Sequence, residues 1–332
     1  MNARQLFRTL KEARGGRFGQ RFLLFLLSWL VLAQGPTLAQ NGPLARYGRL
    51  KVDPGSKQLT SASGVPVQLR GMSSHGLQWF GDAFTASSIA SLAKNWKCSV
   101  VRAAMYVGEG GYAGRSEAEK YAFRAKIQNI VDAAEDNDMY AIIDWHVLNP
   151  GDPNANLGEA REFFRIMSTK YAGRRNVIYE ICNEPNGNVS WARIKQYAEV
   201  IIPIIRKNDP NGIILVGTPE WSSRPDLAAA NPLKDSKGLR LRNVMYTFHF
   251  YSGSHYWQSR VQSTLGRIPL FCSEWGNSDY SGTGPADYAN ATKWLNLMDA
   301  NRISWCNWSF CDKAGETSAA LKPGAIASRS WT

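Results

Sequence analysis

Short apolar segments alternate with amphipathic segments along most of this chain, and this alternation restricts the possible folds more than any other feature. The apolar segments are typical of buried strands and span residues 67–75, 99–107, 140–147, 176–184, 212–218, 243–251, 268–275 and 303–310. Apolar residues recur at helical spacing in the stretches 121–136, 159–172, 191–207 and 288–300. Strands that alternate with helices indicate an α/β fold with a parallel sheet, and eight such units predict a closed (β/α)₈ TIM barrel.

Two further segments flank the predicted barrel. Residues 48–71 carry Gly and Pro turn signals between short apolar runs, which predicts a small N-terminal β-hairpin. Residues 321–332 follow the last strand and show no clear amphipathic pattern. We therefore expect the helix that would close the barrel to be missing or irregular.

The N-terminus has the order of segments found in secretory signal peptides. Residues 1–21 hold six basic side chains and one acid, residues 22–33 are apolar, and Thr37-Leu38-Ala39 is a small-x-small sequence. We predict a signal peptide over residues 1–39, cleaved after Ala39, with residues 40–332 forming one secreted, extracellular domain. The alternative is an uncleaved anchor, although the apolar run is shorter than the roughly 20 residues that a membrane-spanning helix needs.

Charge and cysteine content exclude some functions. The formal net charge of +12 becomes +7 (12 − 6 + 1) without residues 1–39, and no Lys/Arg block remains, so nucleic-acid binding is not expected. An odd number of cysteines leaves at least one thiol unpaired, and whether Cys306 pairs with Cys311 stays open. The chain has no CxxC motif and no His/Cys cluster at zinc spacing, so no metal is expected.

Two glutamates hold equivalent positions at the ends of buried strands. Glu184 lies between Asn183 and Pro185 after the fourth apolar run, and Glu274 ends the seventh. A carboxylate at the C-terminal end of a buried barrel strand costs desolvation unless it binds or reacts. Two such carboxylates suggest the acid/base and the nucleophile of a glycosidase. A surface ion pair is the alternative for either residue alone.

The two proposed roles require opposite environments. A nucleophilic Glu274 must stay ionised, and Arg102, within the apolar run 99–107, is the expected partner, with Tyr251 as a second donor. Glu184 needs a raised pKa, which we expect a negative Glu274 to supply. His146 and His249 are predicted to orient these groups rather than to bind metal.

Aromatic residues at strand ends suggest a sugar ligand, because flat rings stack on the apolar faces of pyranoses. Trp308, within the last strand, is the best stacking candidate, and Lys313 could contact a hydroxyl. The other aromatic candidates are Trp79, Tyr106, Trp221, Tyr251, Trp275 and Trp305.

With these motifs in view, the chain resembles the family 5 glycoside hydrolases, specifically the secreted endo-β-1,4-glucanases of bacteria and plant-parasitic nematodes. The likeness runs from residue 45 to about residue 325 and includes VVRAAMY, IIDWHV, YEICNEP, YTFHFYSG, FCSEWG and WCNWSFCDK. It implies a retaining mechanism, no cofactor, and a catalytic domain over residues 40–332. Position by position, it implies Glu184 as acid/base, Glu274 as nucleophile, and further catalytic-site residues at Arg102, His146, Asn183, His249 and Tyr251. Sugar contacts are implied for His75, Trp79, Tyr106, Trp308 and Lys313.

The resemblance predicts a monomer that hydrolyses internal bonds of cellulose or related β-glucans, with no membrane or nucleic-acid partner after cleavage of the signal. Two alternatives remain at this point. One is an endo-mannanase or xyloglucanase on the same barrel. The other is a non-catalytic carbohydrate-binding barrel, which the apparent lack of a closing helix would favour.

Overall fold

A computed structural model describes residues 42–331, so the predicted signal peptide at 1–39 lies outside the described residues. Eight parallel strands close into a barrel in the order β10-β3-β4-β5-β6-β7-β8-β9, which confirms the predicted fold. A two-stranded antiparallel hairpin, β1 (Leu50–Val52) and β2 (Leu59–Ser61), precedes the barrel as predicted.

The barrel strands match the apolar segments, with ends shifted by a few residues. They are β3 (Arg70–Ser74), β4 (Val100–Tyr106), β5 (Tyr140–His146), β6 (Val177–Glu180), β7 (Ile213–Val216), β8 (Val244–Tyr251), β9 (Leu270–Gly276) and β10 (Ser304–Phe310). The fourth predicted strand differs most, because β6 ends at Glu180 and not at residue 184. Residues 181–184 therefore belong to the loop that follows it.

Helices surround the barrel, and the longer ones coincide with the amphipathic stretches. They are α1 (Pro43–Tyr47), α2 (Leu77–Phe80), α3 (Ala86–Lys94), α4 (Glu117–Asp136), α5 (Leu157–Lys170), α6 (Trp191–Asn208), α7 (Pro225–Ala230), α8 (Gln258–Gln262), α9 (Tyr288–Ala300) and α10 (Ala325–Ser328). Short 3₁₀ turns span Gly81–Ala83 and Pro153–Asn156, and a four-residue turn spans Pro219–Ser222. Among residues 42–331, no helix combines the length and apolar character needed to cross a membrane.

Alternate residues of each strand point into the barrel and form layers that differ in polarity. Near the N-terminal end the layer is apolar and includes Val100, Ile142, Ile178 and Phe271, which pack with Leu50 and Leu59 of the hairpin. Two residues further along β4, β5 and β6, the inward residues are Arg102, Asp144 and Glu180, all fully buried. The apolar layer and the hairpin thus support a charged layer placed directly below the catalytic end.

The segment after β10 covers the outside of the barrel without a long helix. Leu321 and Ala325 are buried, and Trp331 packs against the main core, where its carbonyl accepts a hydrogen bond of 2.8 Å from Trp96 Nε1. Trp96 follows α3, so this segment lies across the first and last strand–helix units. The predicted irregular closure is confirmed, and the barrel face that it covers is not left bare.

Candidate active site

A cleft of about 880 Å³ opens at the C-terminal ends of the barrel strands and brings most of the predicted site residues together. This volume lies within the usual range for ligand pockets, roughly 300–1,000 Å³. The predicted residues that line it are His75, Trp79, Tyr106, Glu184, His249, Tyr251, Glu274, Trp308 and Lys313. Arg102, His146 and Asn183 lie beneath the floor, fully or almost fully buried.

Glu274 is held by two donors, as predicted. Arg102 Nη1 donates to its Oε2 at 3.1 Å, and the Tyr251 hydroxyl donates to its Oε1 at 2.7 Å. Each oxygen of this carboxylate therefore has a partner that favours the ionised form.

Glu184 has a different environment. Its Oε1 lies 2.9 Å from His249 Nδ1, and among residues 42–331 no lysine or arginine lies within ion-pair distance of this carboxyl. Burial lowers the pKa of His249 to about 4, so the ring is neutral at neutral pH and its Nδ1 can accept a hydrogen bond from the carboxylic acid of Glu184. One oxygen of Glu184 lies within 4.8 Å of one oxygen of Glu274.

The protonation of this pair follows from their partners. Burial raises the pKa of Glu184 to about 8, and burial and the neighbouring Glu184 also raise the pKa of Glu274. Arg102 and Tyr251 stabilise a negative charge on Glu274, whereas Glu184 faces only a neutral histidine. Burial is the largest cause of the raised pKa of Glu184, and repulsion within the Glu184–Glu274 pair contributes to the raised pKa of Glu274.

Two backbone irregularities turn these side chains inward. Along β8 and β9 the register shifts, so that Thr247 faces Phe271 but His249 faces Glu274. One extra residue in β9 is typical of a β-bulge, and it allows Ser273 and Glu274 to point into the barrel in succession. In the loop after β6, Asn183 and Glu184 also both point to the interior.

Asn183 contacts protein groups and does not reach the cleft. Its Oδ1 accepts from Arg102 Nη2 at 2.6 Å, and its Nδ2 lies 3.1 Å from His146 Nε2. His146 Nδ1 lies 2.6 Å from Asp144 Oδ2, which fixes the tautomer that donates from Nδ1. In this structure the Asn183 amide orients Arg102 and His146.

Sequence reasoning missed a buried part of the site. Arg102 also pairs with Asp144 at 2.9 Å and Glu180 at 2.7 Å, and the Ser273 hydroxyl donates to Glu180 at 2.5 Å while lying 2.8 Å from His249 Nε2. Burial raises the pKa of Asp144 to about 7. The available signal was a single acid inside each of two apolar runs, IIDWH and VIYEI.

The aromatic candidates divide into two groups. Trp308 is 6 % exposed and stacks on the His146 ring at 5.5 Å, and Trp79 and Trp221 line the cleft about half exposed. Trp275 and Trp305 were wrongly assigned, because they point outward and pack edge-to-face with each other at 5.6 Å. Cleft residues on loops escaped notice, among them Glu109, Glu220, His255, Trp257, Tyr280 and Glu316.

The cysteines all have free thiols in the structure. Cys182 and Cys272 are fully buried in the outer core, as expected of small apolar side chains. The pairing of Cys306 with Cys311 that the sequence left open is not formed.

Comparison with known proteins identifies the family. The sequence profile of the cellulase family, glycosyl hydrolase family 5, matches residues 60–314, which is more than half of the chain. The chain belongs to glycosyl hydrolase family 5. It is therefore a glycoside hydrolase, and family 5 is a retaining family.

Relatives in this family share much of the sequence. An endoglucanase from Clostridium saccharobutylicum is 45% identical over 98% of this chain and 71% of its own length. Endoglucanase E-5 from Thermobifida fusca is 41% identical over 86% of this chain, which spans only 60% of that relative.

Solved structures of family 5 members agree with the fold. The cellulase Cel5C_n superposes with a TM-score of 0.83 at 46% identity, covering 89% of this chain and 91% of that one. The catalytic domain of the Thermobifida fusca endoglucanase Cel5A, in complex with cellotetraose, gives a TM-score of 0.80 at 41% identity, covering 86% and 92%.

Proposed function

We propose that this family 5 enzyme is a secreted, monomeric endo-β-1,4-glucanase that uses Glu274 as nucleophile and Glu184 as acid/base. The observation that carries the assignment is the contrast between the two carboxyls. Glu274 accepts from Arg102 and Tyr251, whereas Glu184 faces a neutral His249. The surroundings of Glu274 favour its anion, and those of Glu184 favour its protonated form. The separation of the two carboxyls suits a retaining mechanism.

The separation supports double displacement over inversion. Retaining enzymes place the two carboxyl groups about 5–5.5 Å apart, whereas inverting enzymes need roughly 6.5–9.5 Å to admit a water. One oxygen of Glu184 lies within 4.8 Å of one oxygen of Glu274, which is shorter than the separation that inversion needs.

The chemistry then runs in two steps. A Glu274 oxygen attacks the anomeric carbon while the proton of Glu184 moves to the departing glycosidic oxygen, so the C–O bond breaks and a glycosyl ester forms. Glu184, now ionised, takes a proton from water, whose oxygen attacks the same carbon and displaces Glu274. Arg102 and Tyr251 stabilise the charge that returns to Glu274.

The cleft supports a β-glucan chain as substrate. Trp308 and Trp79 offer rings for stacking on sugars, and Lys313 and His75 offer hydrogen-bond donors along the same wall. Lys313 Nζ lies 2.6 Å from a carboxylate oxygen of Glu316. The cleft is open and so admits internal segments of a chain, and the related Thermobifida fusca catalytic domain was solved with cellotetraose. Export by the signal peptide at 1–39, cleaved after Ala39, places the enzyme where its polymeric substrate occurs.

The test combines product stereochemistry with a substrate panel. Early products from cellotetraose, followed by ¹H NMR, are expected to be β-anomers, and initial rates should be higher on carboxymethyl cellulose than on glucomannan or xyloglucan. An α-anomer would refute retention, and a higher rate on glucomannan or xyloglucan would refute the glucanase assignment. Cellotetraose binding by calorimetry without release of reducing ends would support the non-catalytic alternative.

A further inference from the structure

The loop after β7 contains three consecutive non-glycine residues in the left-handed backbone region. The φ angles are +55° at Glu220, +55° at Trp221 and +53° at Ser222. L-residues rarely adopt this conformation even singly, and it persists only where the surrounding contacts determine it. Such strain at the edge of a catalytic cleft calls for a physical reason.

The contacts of Ser222 supply one. Its side chain is fully buried, and its hydroxyl donates to the carbonyl of Asn183 at 2.7 Å while accepting from the backbone N–H of Thr218 at 3.2 Å. The same oxygen lies 3.3 Å from the hydroxyl of Thr247, two residues before His249 on β8. Ser222 thus joins the two segments that carry Glu184 and His249.

Trp221 and Gly217, in the same loop, also contact the backbone of residues 182–185. The N–H of Trp221 donates to the carbonyl of Pro185 at 3.0 Å. At Gly217 an added Cβ would lie 2.5 Å from the carbonyl oxygen of Cys182 and 2.7 Å from that of Asn183, so any side chain there would displace the segment. Residues 217–222 therefore hold the backbone on both sides of Glu184.

We propose that Ser222 is a positioning residue for Glu184, acting through the left-handed turn. The hydroxyl fixes the Asn183–Pro185 backbone against β8, so that Glu184 meets His249 and the departing glycosidic oxygen together. The turn also presents Trp221 to the cleft, where its ring is 53 % exposed, and so couples substrate binding to the geometry of the acid. This inference rests on the acid/base role proposed above for Glu184.

The leaving group of the substrate tests it. In Ser222→Ala, kcat/KM for cellotetraose, whose leaving group needs protonation, should fall about 10- to 100-fold, because small misplacements of a catalytic group have effects of this size. With 2,4-dinitrophenyl β-cellobioside, whose leaving group needs no acid, kcat/KM should stay near the wild-type value. The matched control is Ser168→Ala, a fully buried serine on α5 that bonds to Arg165 and Asn208 and should change neither value.

Two further variants make every outcome decisive. Ser222→Gly removes the same hydroxyl while glycine accepts the positive φ freely, so it replaces Ser222→Ala if the alanine variant folds poorly. Equal losses on both substrates, or no loss on either, would overturn the positioning role. Glu184→Ala, assayed alongside, separates this proposal from the acid assignment. If Glu184→Ala does not lose activity selectively on cellotetraose, the acid assignment itself fails. If Glu184→Ala shows that selective loss but the Ser222 variants do not, only the role of Ser222 is refuted.

Discussion

Replacing Arg102 by Met should destabilise the enzyme, and more strongly at pH 8 than at pH 5. Arg102 lies 2.9 Å from Asp144, 2.7 Å from Glu180 and 3.1 Å from Glu274, and none of these side chains is more than 6% exposed. Removing one partner of a buried ion pair costs about 3–5 kcal/mol, because the remaining charge stays desolvated. At about 2–4 °C per kcal/mol for a domain of this size, the melting temperature should fall by roughly 6–20 °C.

The pH dependence follows from the sign of the shifts. Burial raises the pKa of Asp144 from 3.8 to about 7, against the opposing effect of Arg102. A carboxyl whose folded pKa is raised favours folding below its unfolded pKa, and this contribution is lost as pH rises through the folded value. Without Arg102 the folded pKa values of Asp144, Glu180 and Glu274 rise further. The difference in free energy of unfolding between the variant and the wild type therefore grows from about pH 4 to above pH 7.

Differential scanning calorimetry at pH 5 and pH 8 measures both effects. The control is Arg193→Met, which removes an exposed pair with Asp152 at 2.9 Å and should cost only about 0–1 kcal/mol at either pH. Arg102→Lys keeps the charge but not the forked donors, and should recover part of the loss. An Arg102→Met variant no less stable than Arg193→Met, or equally affected at both pH values, would refute this account of the charged layer.

Two other predictions concern catalysis and binding. Because burial raises the pKa of Glu184 to about 8, kcat/KM for cellotetraose should fall above about pH 8. This fall should be absent for 2,4-dinitrophenyl β-cellobioside, whose leaving group needs no acid. An alkaline fall of equal size on both substrates would contradict the prediction. Trp308→Ala should raise KM for cello-oligosaccharides by about 5- to 160-fold, since losing a stacking ring costs roughly 1–3 kcal/mol. Trp305→Ala, on the outward face of β10, should affect stability and leave KM unchanged. Steady-state kinetics with thermal melts would show an error if the two tryptophan variants behaved alike.

The sequence was sufficient for the barrel and for the residues at its catalytic end. The alternating periodicities reflect burial that any member of this fold must achieve. The position of Glu184 and Glu274 after apolar runs was readable because a buried carboxylate costs desolvation unless it has a function. The pairing of Arg102 with Glu274 was predictable as well, because a buried arginine inside a strand needs an anionic partner.

What the sequence could not provide depends on register and backbone direction. Trp275 follows Glu274 directly, and only the shift between β8 and β9 determines that Ser273 and Glu274 both point inward while Trp275 points outward. Asp144 and Glu180 were missed because one anionic partner, Glu274, already accounted for the buried charge of Arg102. The left-handed turn at 220–222 has no glycine to mark it, since its conformation is imposed by contacts with the Asn183–Pro185 segment.

The stereochemistry of azide rescue tests the central claim, the division of roles between the two glutamates, most directly. Glu274→Ala leaves space on the α face, so azide with 2,4-dinitrophenyl β-cellobioside should give the α-cellobiosyl azide. Glu184→Ala still forms the glycosyl ester, so azide should attack it from the opposite face and give the β-azide. ¹H NMR of the isolated products distinguishes them. An α-azide from Glu274→Ala and a β-azide from Glu184→Ala is the predicted result. The reverse pairing, or near-native activity of either variant on cellulose without azide, would contradict it.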